Sequence, residues 1–133
     1  MDRRHFLLLT GALVGSVALK PAIAKAYIRI VVISDLNSQY GATDYEPEVD
    51  KAIAMIPQWQ PDLVLCGGDM VAGQKTSLTP SQIQAMWSAF DQHISQPLKK
   101  AKIPFAFTVG NHDASGALSK GQYIFSQERD LAS

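Results

Sequence analysis

A single cysteine among 133 residues, Cys66, removes two classes of protein at once. It has no partner for an intramolecular disulfide, and it cannot build a thiolate-rich metal site. The chain also lacks an excess of either charge, with twelve basic side chains against twelve acidic ones. No basic surplus is therefore present to neutralise phosphates, and no nucleic-acid-binding signature is found. No internal repeat, low-complexity tract, P-loop or GxGxxG string occurs, and no linker follows Ala26. What remains, 47% hydrophobic and 18% charged residues, fits one soluble globular domain at most.

The balance of charge hides an asymmetry. Arg3, Arg4 and Lys20 face only Asp2 in residues 1–24, so residues 25–133 carry nine basic and eleven acidic groups, a net of −2. Residues 1–24 read as an export signal peptide: a basic start, an apolar stretch from Phe6 to Leu19, and the small-residue end Ala22-Ile23-Ala24. The apolar stretch contains Thr10, Gly11, Gly15 and Ser16 and is shorter than the roughly 20 residues that span a bilayer, so no permanent membrane anchor is expected. Arg3-Arg4-His5-Phe6-Leu7 resembles the twin-arginine signal. That resemblance implies the twin-arginine export machinery as a partner, a periplasmic or secreted location, and a mature chain of residues 25–133 beginning at Lys25.

Beyond the leader, three short apolar runs are punctuated by turn residues. They are Tyr27 to Ile33, Asp62 to Cys66 after Pro61, and Phe105 to Val109 after Pro104. Their length and β-branched content predict buried strands. Between the first two, Pro47 suits a first helical position, Glu46 and Glu48 suit the first turn, and Val49, Ala52, Ile53 and Ile56 share a face. Between the second and third, Thr79-Pro80-Ser81-Gln82 matches a capping box. The stripe Ile83, Met86, Trp87, Phe90, Ile94 and Leu98 then predicts one long helix ending near Lys99-Lys100, its apolar face turned to the core. A further amphipathic helical pattern is expected over Gly121 to Leu131.

Strand, helix, strand, helix, strand is a βαβαβ arrangement of α/β class, whose right-handed crossovers place both helices on one face unless the strand order reverses. Parallel strands finish at one edge. Asp35, Asp69 and Asn111, which are 34 and 42 residues apart, are therefore expected together at the carboxyl end of the sheet. Two carboxylates and an amide oxygen suit a hard or borderline divalent ion, and His112 adjoins them as a proton donor. Any one of these residues alone is explained as a turn former or helix cap. The intact string Gly110-Asn111-His112-Asp113 favours a site.

Asp35-Leu36-Asn37, Gly68-Asp69-Met70-Val71 and Gly110-Asn111-His112-Asp113 resemble, in order and spacing, the motifs of the calcineurin-like metallophosphoesterases. In that family Asp-x-His, Gly-Asp and Gly-Asn-His-Asp/Glu follow successive strands. The resemblance covers about Ile28 to Asp113. It implies the amino-terminal half of an α/β/β/α sandwich, truncated here, and hydrolysis of phosphomono- or phosphodiesters by metal-bound hydroxide. Two divalent ions (manganese, iron, zinc, magnesium or calcium) would serve as cofactors. Asp35 would bind the first metal, Asp69 would bridge the pair and Asn111 would bind the second. His112 would contact the phosphoryl group or protonate the leaving oxygen, with Asp113 orienting it.

Two departures bear on this expectation. Asn37 stands where the family carries a histidine ligand, which moves the site away from zinc and iron toward manganese, magnesium or calcium. The family's later histidine motifs have no counterpart, because His5 lies in the leader and His93 on the polar side of the long helix, where a solvated side chain is expected. The metal site is therefore expected to be incomplete, and a non-catalytic remnant or metal- or partner-binding module is the alternative function. A flavodoxin-like module is weaker still, since Ser34 to Gly41 has no phosphate-cradling pattern. Asn37 to Glu46 is the candidate substrate loop. Cys66 is expected to pack as a small apolar group, Trp59 to cover a loop, and Tyr40 and Tyr45 to pack on the domain or line a substrate mouth.

Overall fold

A computed structural model describes residues 27–125. The leader with its cleavage point before Lys25, and the Ser126 to Leu131 part of the expected last helix, lie outside the described residues. Three parallel strands form the centre: β1 (Ile30–Ile33), β2 (Leu63–Cys66) and β3 (Phe105–Phe107). They lie in the order β1-β2-β3, with Ile30 opposite Leu63 and Val64 opposite Phe105. The β1–β2 pairing is closed at its amino end by reciprocal bonds. Arg29 N donates to Asp62 Oδ2 at 2.9 Å, and Asp62 N donates to the Arg29 carbonyl at 2.8 Å.

Helix α1 (Pro47–Met55) begins with Pro47 in its first turn, where a missing amide costs nothing, and with Glu48 and Asp50 near the positive end of its dipole. A 3-10 turn, Ile56–Trp59, extends it to Gln60, whose φ of 49° ends the spiral. Helix α2 (Pro80–Phe90) carries the expected capping box: Thr79 N donates to Gln82 Oε1 at 2.9 Å and Gln82 N donates to Thr79 Oγ1 at 3.3 Å.

The long helix is not one regular spiral. Residues Asp91–Ser95 form a π turn before α3 (Gln96–Lys100), and Gln96 N bonds back to the Asp91 carbonyl. The cause lies in Pro97, which offers no amide and whose ring would collide with the carbonyl four residues back in a regular α turn; widening the preceding turn accommodates it. The apolar stripe survives the change, with Ile83, Met86, Phe90, Ile94 and Leu98 all buried.

Both helical segments contribute to one core beneath the sheet. Ile53 and Ile56 meet Met86, Phe90, Ile94 and Leu98 against Val64 and Cys66. The opposite face of the strands is bare, with Val32 70% and Ile30 49% exposed. The described start of the last expected helix is instead a hairpin, β4 (Leu118–Ser119) against β5 (Gln122–Tyr123). Lys120 and Gly121 have φ of 51° and 79°, the conformation that a two-residue hairpin turn requires and a helix forbids.

Candidate metal centre at the carboxyl edge

All three strands end at one edge, and their exit loops are laced to one another there. The chain leaving β1 runs along the chain leaving β2: Asp35 N bonds Gly68 O at 3.1 Å, Asn37 N bonds Asp69 O at 3.0 Å and Gly41 N bonds Ala72 O at 3.2 Å. On the other side Thr108 N reaches Cys66 O at 3.0 Å, and Gly73 N reaches His112 O at 3.1 Å. The β2 exit is thus the spine to which the neighbouring loops are bound.

Asp35 and Asp69 both sit in the left-handed region, at φ of 54° and 53°. Aspartate tolerates that conformation better than most residues, yet it still costs on the order of 1 kcal/mol, and such strain is concentrated at functional sites. Glycines permit the close approach between loops. A Cβ at Gly68, whose φ is 108°, would lie 2.6 Å from Gly110 N, and one at Gly110 would lie 2.1 Å from Asp69 Oδ1. The β3 exit can therefore pass against the Asp69 carboxylate only without a side chain at residue 110, and there His112 N donates to Asp69 Oδ1 at 2.9 Å.

Asp113 is fully buried. Its Oδ1 accepts from Met70 N and Val71 N, and its Oδ2 from Gly110 N, each at 2.8 Å. The carboxylate expected to orient His112 is engaged with three backbone amides. What it fixes is the β3 exit against the β2 exit, and through that the place of His112 in the chain. The His112 ring makes no such bond, since its Nδ1 is buried without a hydrogen-bond partner among the described residues. The ring packs instead against Tyr40, centroids 5.6 Å apart.

Asp35 and Asn111 are exposed, while Asn37 and Asp69 are half-buried. The Asn37 amide nitrogen faces the Val71 carbonyl at 3.5 Å, which leaves its oxygen as the atom able to ligate. Burial pushes the Cys66 thiol up, and the negative charge of Asp113, Asp35 and Asp69 adds to the effect. Burial likewise pushes the Tyr45 hydroxyl up, with Asp113, Cys66 and Asp50 adding to the effect.

One side chain behaves differently from expectation. His93 is not simply solvated: its Nδ1 lies 2.9 Å from Asp50 Oδ1, and its ring packs on Tyr45 at 5.5 Å. Tyr45 in turn donates its hydroxyl to Met70 O at 2.9 Å, so it supports the loop that carries Asp69. Gln74 Nε2 and the buried Ser115 Oγ, 3.0 Å apart, tie the same two exits further along. Nothing in the sequence marked these contacts, because each joins groups distant in the chain.

The donor set fits a divalent cation. Asp35, Asn37, Asp69 and Asn111 offer oxygen, the ligand type that hard ions prefer, and the orphaned Nδ1 of His112 is a buried polar atom that a bound group could satisfy. Carboxylates alone do not complete it. Among the described residues no three His, Cys, Asp or Glu side chains form a metal-holding group, and Asp113 is engaged by backbone amides. A comparison with curated proteins gave no match. A family model for calcineurin-like phosphoesterases matches residues 28–131, a span that contains every strand and helix described and all three loops of the edge. By that match the chain belongs to the calcineurin-like phosphoesterase family.

Proposed function

We propose that the chain is a metal-dependent phosphoesterase, or the amino-terminal part of one, acting on phosphomono- or phosphodiesters. One observation carries the reading: the Asp69 carboxylate receives the His112 amide at 2.9 Å across a contact that only glycine at position 110 permits. Divalent cations bound here would supply Lewis-acid polarisation of a phosphoryl oxygen and activation of water. Asp35 and Asp69, with the oxygens of Asn37 and Asn111, would hold them. Asp69 would hold both, a role supported by the fixing of its carboxylate from the neighbouring loop. The His112 ring is the proton donor for the leaving oxygen, and Asp113 holds the loop that carries it. An all-oxygen set favours manganese, magnesium or calcium over zinc.

Manganese titration of the purified chain by calorimetry, together with hydrolysis of bis(4-nitrophenyl) phosphate, tests this reading. Asp69→Asn is expected to weaken manganese binding and lower any hydrolysis by about a hundredfold. His112→Asn is expected to lower turnover more than metal content. Unchanged binding and hydrolysis in Asp69→Asn would overturn the assignment. A second reading, a cation- or partner-binding module without turnover, is favoured by the small number of uncommitted carboxylates at the edge; manganese binding without hydrolysis would select it.

Export through the twin-arginine route, with Lys25 as the mature amino terminus, is part of the same proposal and is supported by Arg3-Arg4 and Ala22-Ile23-Ala24. A reporter fused to residues 1–24 should lose export when Arg3 and Arg4 are both changed to Lys. Persistent twin-arginine-dependent export of that variant would refute the proposal.

A further inference from the structure

Beside the carboxyl edge lies a groove of about 430 Å³, lined by Asn37, Gln39, Tyr40, Lys75 and His112 among others. It shares two residues, Asn37 and His112, with the candidate metal centre, so the two are continuous. Its walls are the loops leaving β1 and β2, held at a fixed separation by Asn37 N to Asp69 O and Gly41 N to Ala72 O. The Lys75 wall is joined to the third exit through Gly73 N to His112 O.

Three features define what such a groove can take. First, among the described residues no carboxylate lines it, and Lys75 is its only lysine or arginine. The Lys75 side chain is exposed and has no ion-pair partner among the described residues. Lys75 therefore favours an anionic ligand on this wall. Such a ligand would be repelled at the cavity beside His93, which Asp50 lines. Second, the Tyr40 ring is half exposed and leans on the His112 ring at 32°. It presents a flat aromatic surface that is already oriented, against which another ring can stack at little entropic cost. Third, the volume lies near the lower end of small-molecule sites, which suits one ring and one phosphoryl group better than a polymer.

We infer that this groove receives the leaving group of the substrate, and that the substrate is a phosphate ester whose leaving group carries a flat aromatic ring stacked on Tyr40, with Lys75 drawing the anionic substrate toward the groove. The inference rests on the phosphoesterase reading and adds the substrate class to it. Tyr40 and Lys75 are then specificity-determining residues that act on binding and take no part in proton transfer.

The test uses the isotopically labelled full-length chain in magnesium-containing buffer, titrated with phenyl phosphate, methyl phosphate and inorganic phosphate while the backbone amide resonances are followed. Phenyl phosphate should move the amides of Ser38 to Gly41, Lys75 and His112, and should bind about fivefold more tightly than methyl phosphate. Tyr40→Ala should abolish that preference and Tyr40→Phe should retain it, since the ring and not the hydroxyl is required. Lys75→Gln should weaken all three ligands by about threefold at low salt and by less at high salt. Shifts at Asp35, Asp69 and Asn111 with none at Tyr40 or Lys75, or equal affinity for phenyl and methyl phosphate, would overturn the groove assignment and leave the phosphoesterase reading standing. Shifts at none of these positions would refute both.

Discussion

Two regions of this molecule are held together by opposite means. Beneath the helices, Val64, Met86, Ile94 and Leu98 are closed off by many interchangeable apolar contacts. At the carboxyl edge the joining is polar and unequal: one carboxylate, Asp113, receives three backbone amides from two loops. Dispersion and burial are spread over many partners, so the loss of one is partly absorbed by its neighbours. A buried acceptor serving three donors has no substitute. The site is therefore the less redundant of the two regions.

The largest effect expected from this contrast is that of Asp113→Ala, which strands three amides and should cost about 3–5 kcal/mol in urea denaturation. Asp113→Asn keeps one good acceptor and should cost visibly less. If alanine and asparagine proved equally mild, the edge would not depend on that carboxylate. Next comes Leu98→Ala in the covered core, expected to cost about 3 kcal/mol. Its control is Val32→Ala on the bare face, where 70% exposure limits the loss to under about 1 kcal/mol. A Val32→Ala cost matching that of Leu98→Ala would mean that the bare face is covered in solution.

Gly110→Ala should be worse for the site than for the fold. The new methyl group meets the Asp69 carboxylate, so manganese affinity should fall about tenfold in calorimetry, while stability falls by about 1–2 kcal/mol. The smallest effect concerns alkaline pH. Burial raises both the Cys66 thiol and the Tyr45 hydroxyl above their ordinary values of 9.0 and 10.0. The unfolded chain therefore releases protons that the folded chain retains, and stability should begin to fall as pH rises past about 9. Urea midpoints measured against pH would show it. Tyr45→Phe should flatten the part of the decline above the ordinary tyrosine value.

Much of the fold could be read from local chemistry. The apolar runs before Asp35, Asp69 and Asn111, the capping box at Thr79 and the first-turn position of Pro47 each depend on a few adjacent residues, and each appears where expected. The π turn was not legible, because the apolar stripe passes through Asp91–Ser95 undisturbed and Pro97 reads as one awkward residue in a good helix. The hairpin was missed because Lys120 is not a residue that announces positive φ. At the carboxyl edge, the strand ends that bring the loops of Asp35, Asp69 and Asn111 to one side of the sheet were legible in the sequence. The engagement of Asp113 with amides of residues 70, 71 and 110 was not, since backbone donors carry no signature in a sequence. The His93–Asp50 pair, 43 residues apart, was invisible because neither polar residue marks its distant partner.

The position of the β2 exit as a spine between its two neighbours has a consequence in time. Each parallel pairing closes a loop of some thirty or more residues before any contact rewards it, as the 33-residue separation of Arg29 and Asp62 illustrates. During synthesis from the amino terminus, β1 can find β2 while Asn111 to Asp113 are still unmade. Asp69 at that moment lacks its amide partner from His112, and the amides of Met70 and Val71 lack their acceptor. The nascent edge is open and polar, with Asp69 held only from the β1 side, through its carbonyl and that of Gly68. The arrival of β3 adds the His112 amide and completes the polar lacing around the Asp69 carboxylate.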